Sequence, residues 1–173
     1  VLVVGGGPAG LSTAIRLKQH ALKHEKELEV CVIEKGSQIG AHILSGNVFE
    51  TRALNELFPD WKEMGAPLET KVTSDKMMFF PNDKKSITFP HFAMPKSIDN
   101  HGNYIISLGQ LCAWLGEQAE ELGVEILPGI AGDKVLYDEG ESRVIGIRTG
   151  DMGIGKDGEK KGSYEQGIDI MAK

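Results

Sequence analysis

The apolar positions of this chain change their spacing several times, and each change marks an element. Val1-Leu2-Val3-Val4 is a continuous apolar run rich in β-branched residues, and it predicts a buried parallel strand. From Pro8 to about Lys23, Leu11, Ala14, Ile15, Leu17, Ala21 and Leu22 recur at helical spacing. Leu28 to Glu34 (LEVCVIE) is a second apolar strand. Strand, helix and strand in this order predict a right-handed βαβ unit. Thr51 to Phe58 predicts a short helix closed by Pro59. Residues 68–90 alternate β-prone pieces at 71–73, 77–80 and 86–89 with turns, one of them at Asn82-Asp83. Met77, Met78, Phe79 and Phe80 read as the core of that β piece. Asp99 to Asn103 reads as loop.

Helical spacing returns with Leu108, Leu111, Cys112, Leu115, Ala119 and Leu122, and Gly123 is placed to end that helix. Val124 to Leu127 predicts a third strand. Residues 134–137 and 143–148 predict a hairpin turned by Asp138-Glu139-Gly140. Gly150 to Gly162 is rich in glycine and charge and reads as an exposed loop. The order predicts an α/β, Rossmann-like fold: a three-layered domain with a parallel sheet and helices, interrupted by part of a β-rich second domain. The expected division is 1–64 and 104–173 for the nucleotide-binding domain, with 65–103 inserted. The chain opens inside a strand and closes at Ala172-Lys173 in what reads as a helix start, so it is expected to be a piece of something longer.

Composition narrows the function. The 173 residues carry a net charge of -6, and no basic cluster is denser than Lys84-Lys85 or Lys160-Lys161, which argues against nucleic acid as a partner. No apolar run approaches the roughly 20 residues of a transmembrane helix. Cys31 and Cys112 cannot make a four-cysteine metal site and read as core thiols. Among His20, His24, His42, His91 and His101, the first two share a metal-compatible i, i+4 spacing but lack an acidic or cysteine partner. No metal ligand and no catalytic side chain is assigned.

The chemistry sits in Gly5-Gly6-Gly7-Pro8-Ala9-Gly10, which fits G-x-G-x-x-G between a strand and an amphipathic helix. Gly5 lets the chain turn out of the strand, Gly7 leaves room for a pyrophosphate, and Gly10 lets the helix pack closely. The helix start presents free N–H groups and the positive end of its dipole to phosphates. Pro8 suits the first helical turn, where its missing N–H costs nothing. Glu34 closes the second strand roughly twenty residues beyond the glycines, where a carboxylate accepts both hydroxyls of an adenosine ribose and repels a 2′-phosphate. That leaves NAD or FAD. The β-rich interruption after the first βαβ unit suits an FAD domain better than the regular alternation of a simple NAD domain. Lys35 joins the candidate cofactor-binding residues, although a solvated lysine is its ordinary role.

Four stretches then carry a resemblance: VLVVGGGPAGLSTAIRLKQ, EVCVIEKGSQIGAHILSGNVFE, ELFPDWKEMGAPLET and DNHGNYIISLGQLCAWLGEQAEELGVEILPG. Together they resemble the electron transfer flavoprotein–ubiquinone oxidoreductase family over essentially the whole chain. The resemblance implies a flavoprotein that holds FAD and, elsewhere in the parent protein, a [4Fe–4S] cluster. It implies electron transfer flavoprotein and ubiquinone as partners. It also implies a monotopic place on the matrix side of the mitochondrial inner membrane, or on the bacterial inner membrane. By motif, Gly5, Gly7, Pro8, Ala9, Gly10 and Glu34 would hold the ADP part of FAD, and the stretch with Gly40, Ser45 and Gly46 would pass near the flavin. His42 lies in that stretch too.

Residues 40–61 match a region implied to dip into the membrane. There Ile43, Leu44, Val48, Phe49, Leu54, Leu57, Phe58 and Trp61 alternate with Glu50, Arg52, Glu56 and Asp60, which equally fits a helix covering the core. The family commonly places an arginine where this chain has Ser107. Two other readings stay open. One is an FAD-dependent reductase or hydroxylase of the geranylgeranyl reductase type. The other is a fragment without activity of its own.

Overall fold

The computed structural model describes residues 1–172 apart from His91, Ala93 and Met94, with only the backbone of Lys96. In chain order its main elements are β1 (Leu2–Val4), α1 (Pro8–Lys23), β2 (Cys31–Glu34), β3 (Ser45–Phe49), α2 (Arg52–Leu57), β4 (Thr70–Lys71), β5 (Met78–Asn82), β6 (Lys85–Thr88), β7 (Tyr104–Ser107), α3 (Leu108–Glu121), β8 (Glu125–Pro128), β9 (Gly132–Tyr137), β10 (Val144–Thr149), β11 (Met152–Ile154), β12 (Lys160–Glu165) and β13 (Asp169–Met171). They form two compact units, Val1–Ile43 with Gly109–Lys173, and Leu44–Leu108.

The first unit is built on a parallel sheet of order β1-β2-β8. Its register sets Val3 opposite Val32 and Val4 opposite Ile33, so the two faces separate by residue parity. On one face Val3 Cγ1 stands 3.2 Å from the point a Cβ of Gly10 would occupy, which brings α1 down onto the sheet. Ile126, paired with Val32, shares this face and borders a cavity with Ala113, Gly116, Glu117 and Glu120 of α3. On the other face Val4 Cγ1 and Ile33 Cδ1 lie 3.2 and 3.7 Å from the corresponding point on Gly132, with Ile147 Cδ1 at 3.6 Å. Here the antiparallel sheet β13-β10-β9 forms the third layer. The core is Leu11, Ala14, Ile15, Val32, Ile33, Leu111, Cys112, Leu115 and Ala119, all fully or almost fully buried.

Local chemistry sets the ends of the long helices. Pro8 opens α1 after an extended Gly7. Gly123, at φ +82°, ends α3: its N–H bonds the Glu120 carbonyl at 2.8 Å, and that of Val124 bonds Ala119 at 3.0 Å.

The second unit holds a sheet of order β3-β7-β4, the helix α2 and the separate hairpin β5–β6. Ser45 pairs with Ser107 and Asn47 with Ile106, leaving Gly46 as a bulge at φ +80°. Because β3 and β7 pair with each other, the second unit reaches beyond the 65–103 segment on both sides.

Several expectations are corrected. The stretch Gly150–Gly162 contains strand, since β11 and β12 pair as a hairpin whose residues nevertheless stay largely exposed. Just before Ala172 the chain forms β13, a strand the sequence did not predict. Gly146 has no side chain, so the Ile170 carbonyl comes in where a Cβ would stand, and Arg148 grips Asp169 across the strands at 2.7 and 2.9 Å. Lys173 lies outside the described residues. Met77, Met78, Phe79 and Phe80 are exposed, not core. Leu54, Leu57, Phe58 and Trp61 are buried, so α2 and the turn after it cover the core of their unit, whereas Leu44 and Val48 of the same stretch are exposed. Trp61 donates its indole N–H to Asn55 Oδ1 at 2.6 Å and meets Tyr104 edge-on.

Candidate cofactor-binding site

The glycine turn is held by contacts converging on its backbone. Gly5 leaves β1 at φ +105°, where a side chain would be strained, and its N–H still bonds the Ile33 carbonyl at 2.8 Å. A Cβ on Gly10 would collide with the Gly5 carbonyl, so the turn closes on itself only with glycine at position 10. Around Gly7 the space is different. Beyond its chain neighbours, no protein atom lies within 4 Å of where its Cβ would be, so an incoming group can reach the backbone there.

The first intrahelical bond of α1 runs from Leu11 N–H to the Gly7 carbonyl at 3.0 Å. The earlier amides of Ala9 and Gly10 therefore have no acceptor inside the helix. No acidic residue stands in the first turn to compete for their positive field. Pro8 and Ala9 are exposed beside them.

Glu34 ends β2 and ties two turns together. Its Oε2 accepts from Gly6 N–H at 2.8 Å, and its Oε1 accepts from Gly36 N–H at 2.7 Å. Burial works against its ionisation, but the amides of Gly36 and Gly6, with the charges of His42 and Lys35, outweigh it and hold the carboxyl below the usual glutamate range. The group is thus a carboxylate at neutral pH. Each oxygen keeps a second acceptor site, so both remain able to take a sugar hydroxyl.

Gly5, Gly6, Gly7, Gly10 and Glu34 thus come together at the carboxyl ends of β1 and β2. Lys35 is exposed next to them. Gly40, at φ +85°, packs its backbone on the backbone of Gly109, at the start of α3. Ser45 and Gly46 belong to the second unit, on β3. Ser107 stands opposite Ser45 at the end of β7.

One residue escaped the sequence reading. Ile39 sets its Cδ1 where a side chain on Gly6 would go, and its Cβ, Cγ1 and Cγ2 lie 3.5–3.6 Å from where a Cβ on Gly116 of α3 would stand. Only the glycines at 36 and 40 hinted that this connection is tightly packed.

The remaining candidates show no comparable geometry. His20 and His24 stack at 6.3 Å at the exposed C-terminal end of α1, His101 lies in an exposed turn, and His91 is outside the described residues. Burial pushes the Cys112 thiol up to about 11, and burial with Glu125 raises that of Cys31, so both are protonated at neutral pH. Among the described residues no group of three His, Cys, Asp or Glu side chains could hold a metal ion, and no helix is long and apolar enough to cross a membrane.

The NAD(P)-binding Rossmann-like domain family matches residues 3–58. Over its whole length the chain is 56% identical to the electron transfer flavoprotein–ubiquinone oxidoreductase of Pseudomonas aeruginosa, of which it covers 31%. It is 52% identical to the human mitochondrial protein of that name, of which it covers 28%. By sequence the chain is similar throughout to the N-terminal part of these oxidoreductases. It spans about 30% of the length of these curated relatives.

Solved structures share the fold at lower identity. A geranylgeranyl bacteriochlorophyll reductase-like protein from Thermoplasma acidophilum aligns with 99% of this chain and 36% of its own, with a TM-score of 0.64 and 19% identity. Aklavinone-11 hydroxylase, solved with FAD and aklavinone, aligns with 98% of this chain and 30% of its own, with a TM-score of 0.58 and 19% identity. The α/β, Rossmann-like fold expected from the sequence is therefore the fold observed.

Proposed function

We propose that this chain holds the ADP part of FAD in an oxidoreductase that passes electrons from reduced electron transfer flavoprotein to ubiquinone. The observation that carries the reading is the glycine turn clasped by Glu34, within a sequence more than half identical throughout to oxidoreductases of that name.

The residues present fit the cofactor. The open space at Gly7 and the first-turn amides of α1 suit a pyrophosphate, and the free acceptor sites on Glu34 suit an adenosine ribose. FAD bound there would supply the electron-carrier chemistry, while the protein binds and orients it. Gly5, Gly7, Pro8, Ala9 and Gly10 shape the phosphate seat. Glu34 orients the sugar and rejects a 2′-phosphate by charge. Lys35 adds positive field at the rim. In this reading Gly40, Ser45 and Gly46 lie along the path toward the flavin, and the β-rich unit is part of the quinone domain. A [4Fe–4S] cluster does not fit this chain. It has two cysteines, Cys112 is fully buried, and no ligand set exists among the described residues.

The hairpin β5–β6 supports a membrane-surface location. Met78, Phe79, Phe80 and Ile87 are exposed along it, with Met77 and Phe89 flanking, and Lys84 and Lys85 sit at its turn. Apolar side chains beside lysines suit the boundary of an anionic lipid leaflet. The location proposed is the matrix side of the mitochondrial inner membrane, or the equivalent face of a bacterial inner membrane.

The test is quinone reduction by the full-length protein, driven by reduced electron transfer flavoprotein. Turnover with a flavin absorbance band is expected. A full-length protein that instead oxidises NAD(P)H in the presence of a small substrate would move the assignment to the reductase and hydroxylase group.

A further inference from the structure

The connection after Glu34 does more than link strands. Ile39 stands between the glycine turn and α3, its terminal methyl group over Gly6 and the rest of its side chain against Gly116. Gly116 is buried and Ile39 half-buried, and both border the cavity beside Ala113 and Glu117 of α3. One residue on, Gly40 is fixed by backbone contact with Gly109, which leaves the Ile39 backbone little freedom to withdraw.

From this geometry we infer that Ile39 is a positioning residue for the cofactor, setting where the Gly6 and Gly7 backbone stands. The inference rests on the FAD-binding reading and adds to it a residue outside the glycine motif. It gives Gly6 a reason that the motif itself lacks. Position 6 is a free position in G-x-G-x-x-G, and the structure fills the space of its missing side chain from Ile39. An alanine at 6 would press on Ile39 Cδ1, so that side chain must shift toward Gly116 and the cavity that both border. It would also stand 3.3 Å from Glu34 Cβ, tight enough to push on the clasp at Gly6 N–H. Removing only the Cδ1 methyl group, with valine at 39, vacates the contested space and keeps the packing on Gly116.

The experiment uses full-length protein stripped of flavin, with FAD dissociation constants read from flavin fluorescence and melting temperatures measured without flavin. Gly6→Ala is expected to weaken FAD binding about tenfold, the scale of one overpacked methyl group. Ile39→Val alone should weaken it by about twofold or less, and Gly6→Ala with Ile39→Val should return to within about threefold of wild type. A double variant weaker than Gly6→Ala, or Gly6→Ala with unchanged affinity, overturns the inference. Recovery of melting temperature without recovery of affinity overturns it too, since Ile39 would then be a packing residue only. Wild-type protein that takes up no FAD fails the underlying reading instead, and is recognised before any variant is made.

Discussion

The glycine turn and the β5–β6 hairpin are both short, yet they present opposite surfaces. The turn offers backbone. Its side chains are absent, its shape is fixed by Glu34, Ile39 and the carbonyl of Gly5, and the first amides of α1 are left without acceptors in the helix. The hairpin offers side chains. Its two strands pair with each other, and Met78, Phe79, Phe80 and Ile87 stand exposed. A surface with spare N–H groups is prepared for an anion, and a surface with spare methyl groups and rings is prepared for an apolar partner. Contacts from several directions hold the first in shape, whereas the second needs only its own ladder.

The sharpest way to break this comparison is to fill the turn. Gly10→Val places a branched side chain against the Gly5 carbonyl and Val3, where no space exists. FAD content of the full-length protein should fall at least about 100-fold, with a clear drop in melting temperature, because both the turn and the α1 packing must move. An unchanged flavin spectrum would show that the turn can reshape.

A subtler change keeps the shape and alters the clasp. In Glu34→Gln one of the two amides, Gly6 or Gly36, must face an NH2 group in place of an oxygen. The loss is expected at about 1–3 kcal/mol of FAD affinity, roughly 5- to 150-fold, read by flavin fluorescence titration. The same substitution sharpens the electrostatics. Because the folded-state carboxyl lies below the usual glutamate range, its contribution to stability is complete above that range. It is lost as the pH falls through that range to the depressed folded value. Melting temperature against pH should therefore decline less steeply on the acid side in the glutamine variant than in wild type.

The hairpin answers to a different measurement. Phe79→Ser with Phe80→Ser should reduce co-sedimentation of the full-length protein with anionic phospholipid vesicles by about tenfold. Melting temperature should stay within about 2 °C, as both rings are already exposed. A large drop in stability would mean that these rings pack in the intact protein.

The smallest effect is expected in the buried part of the second unit. Trp61→Phe removes the bond to Asn55 Oδ1 while keeping a ring beside Tyr104. A cost of about 1 kcal/mol in chemical denaturation is expected, with FAD affinity unchanged.

The first βαβ unit was legible because every physical signal there agreed: an apolar strand, glycines, a proline at the first helical position and a 3.6-residue period. Glu34 stood out as a candidate by its place at the strand end, but not as the clasp on Gly6 and Gly36, since backbone N–H donors leave no mark in sequence. β3 was hidden by the glycine bulge inside it, β7 by running straight into α3, and the β11–β12 hairpin by being exposed on both sides, so that no alternation developed. Met77 to Phe80 misled because an apolar run looks the same whether it meets the protein's own core or another surface. Ile39 was invisible for a related reason. Its role lies in what it touches across the fold, on Gly6 and Gly116, and no periodicity encodes that.

A crystal structure of the full-length protein with FAD bound tests the central claim most directly. It should show the pyrophosphate over Gly7 and the first amides of α1, with ribose hydroxyls on the Glu34 carboxylate while Gly6 N–H keeps its bond to Oε2. A pyrophosphate seated elsewhere, or a Glu34 side chain turned away from the sugar, would contradict it.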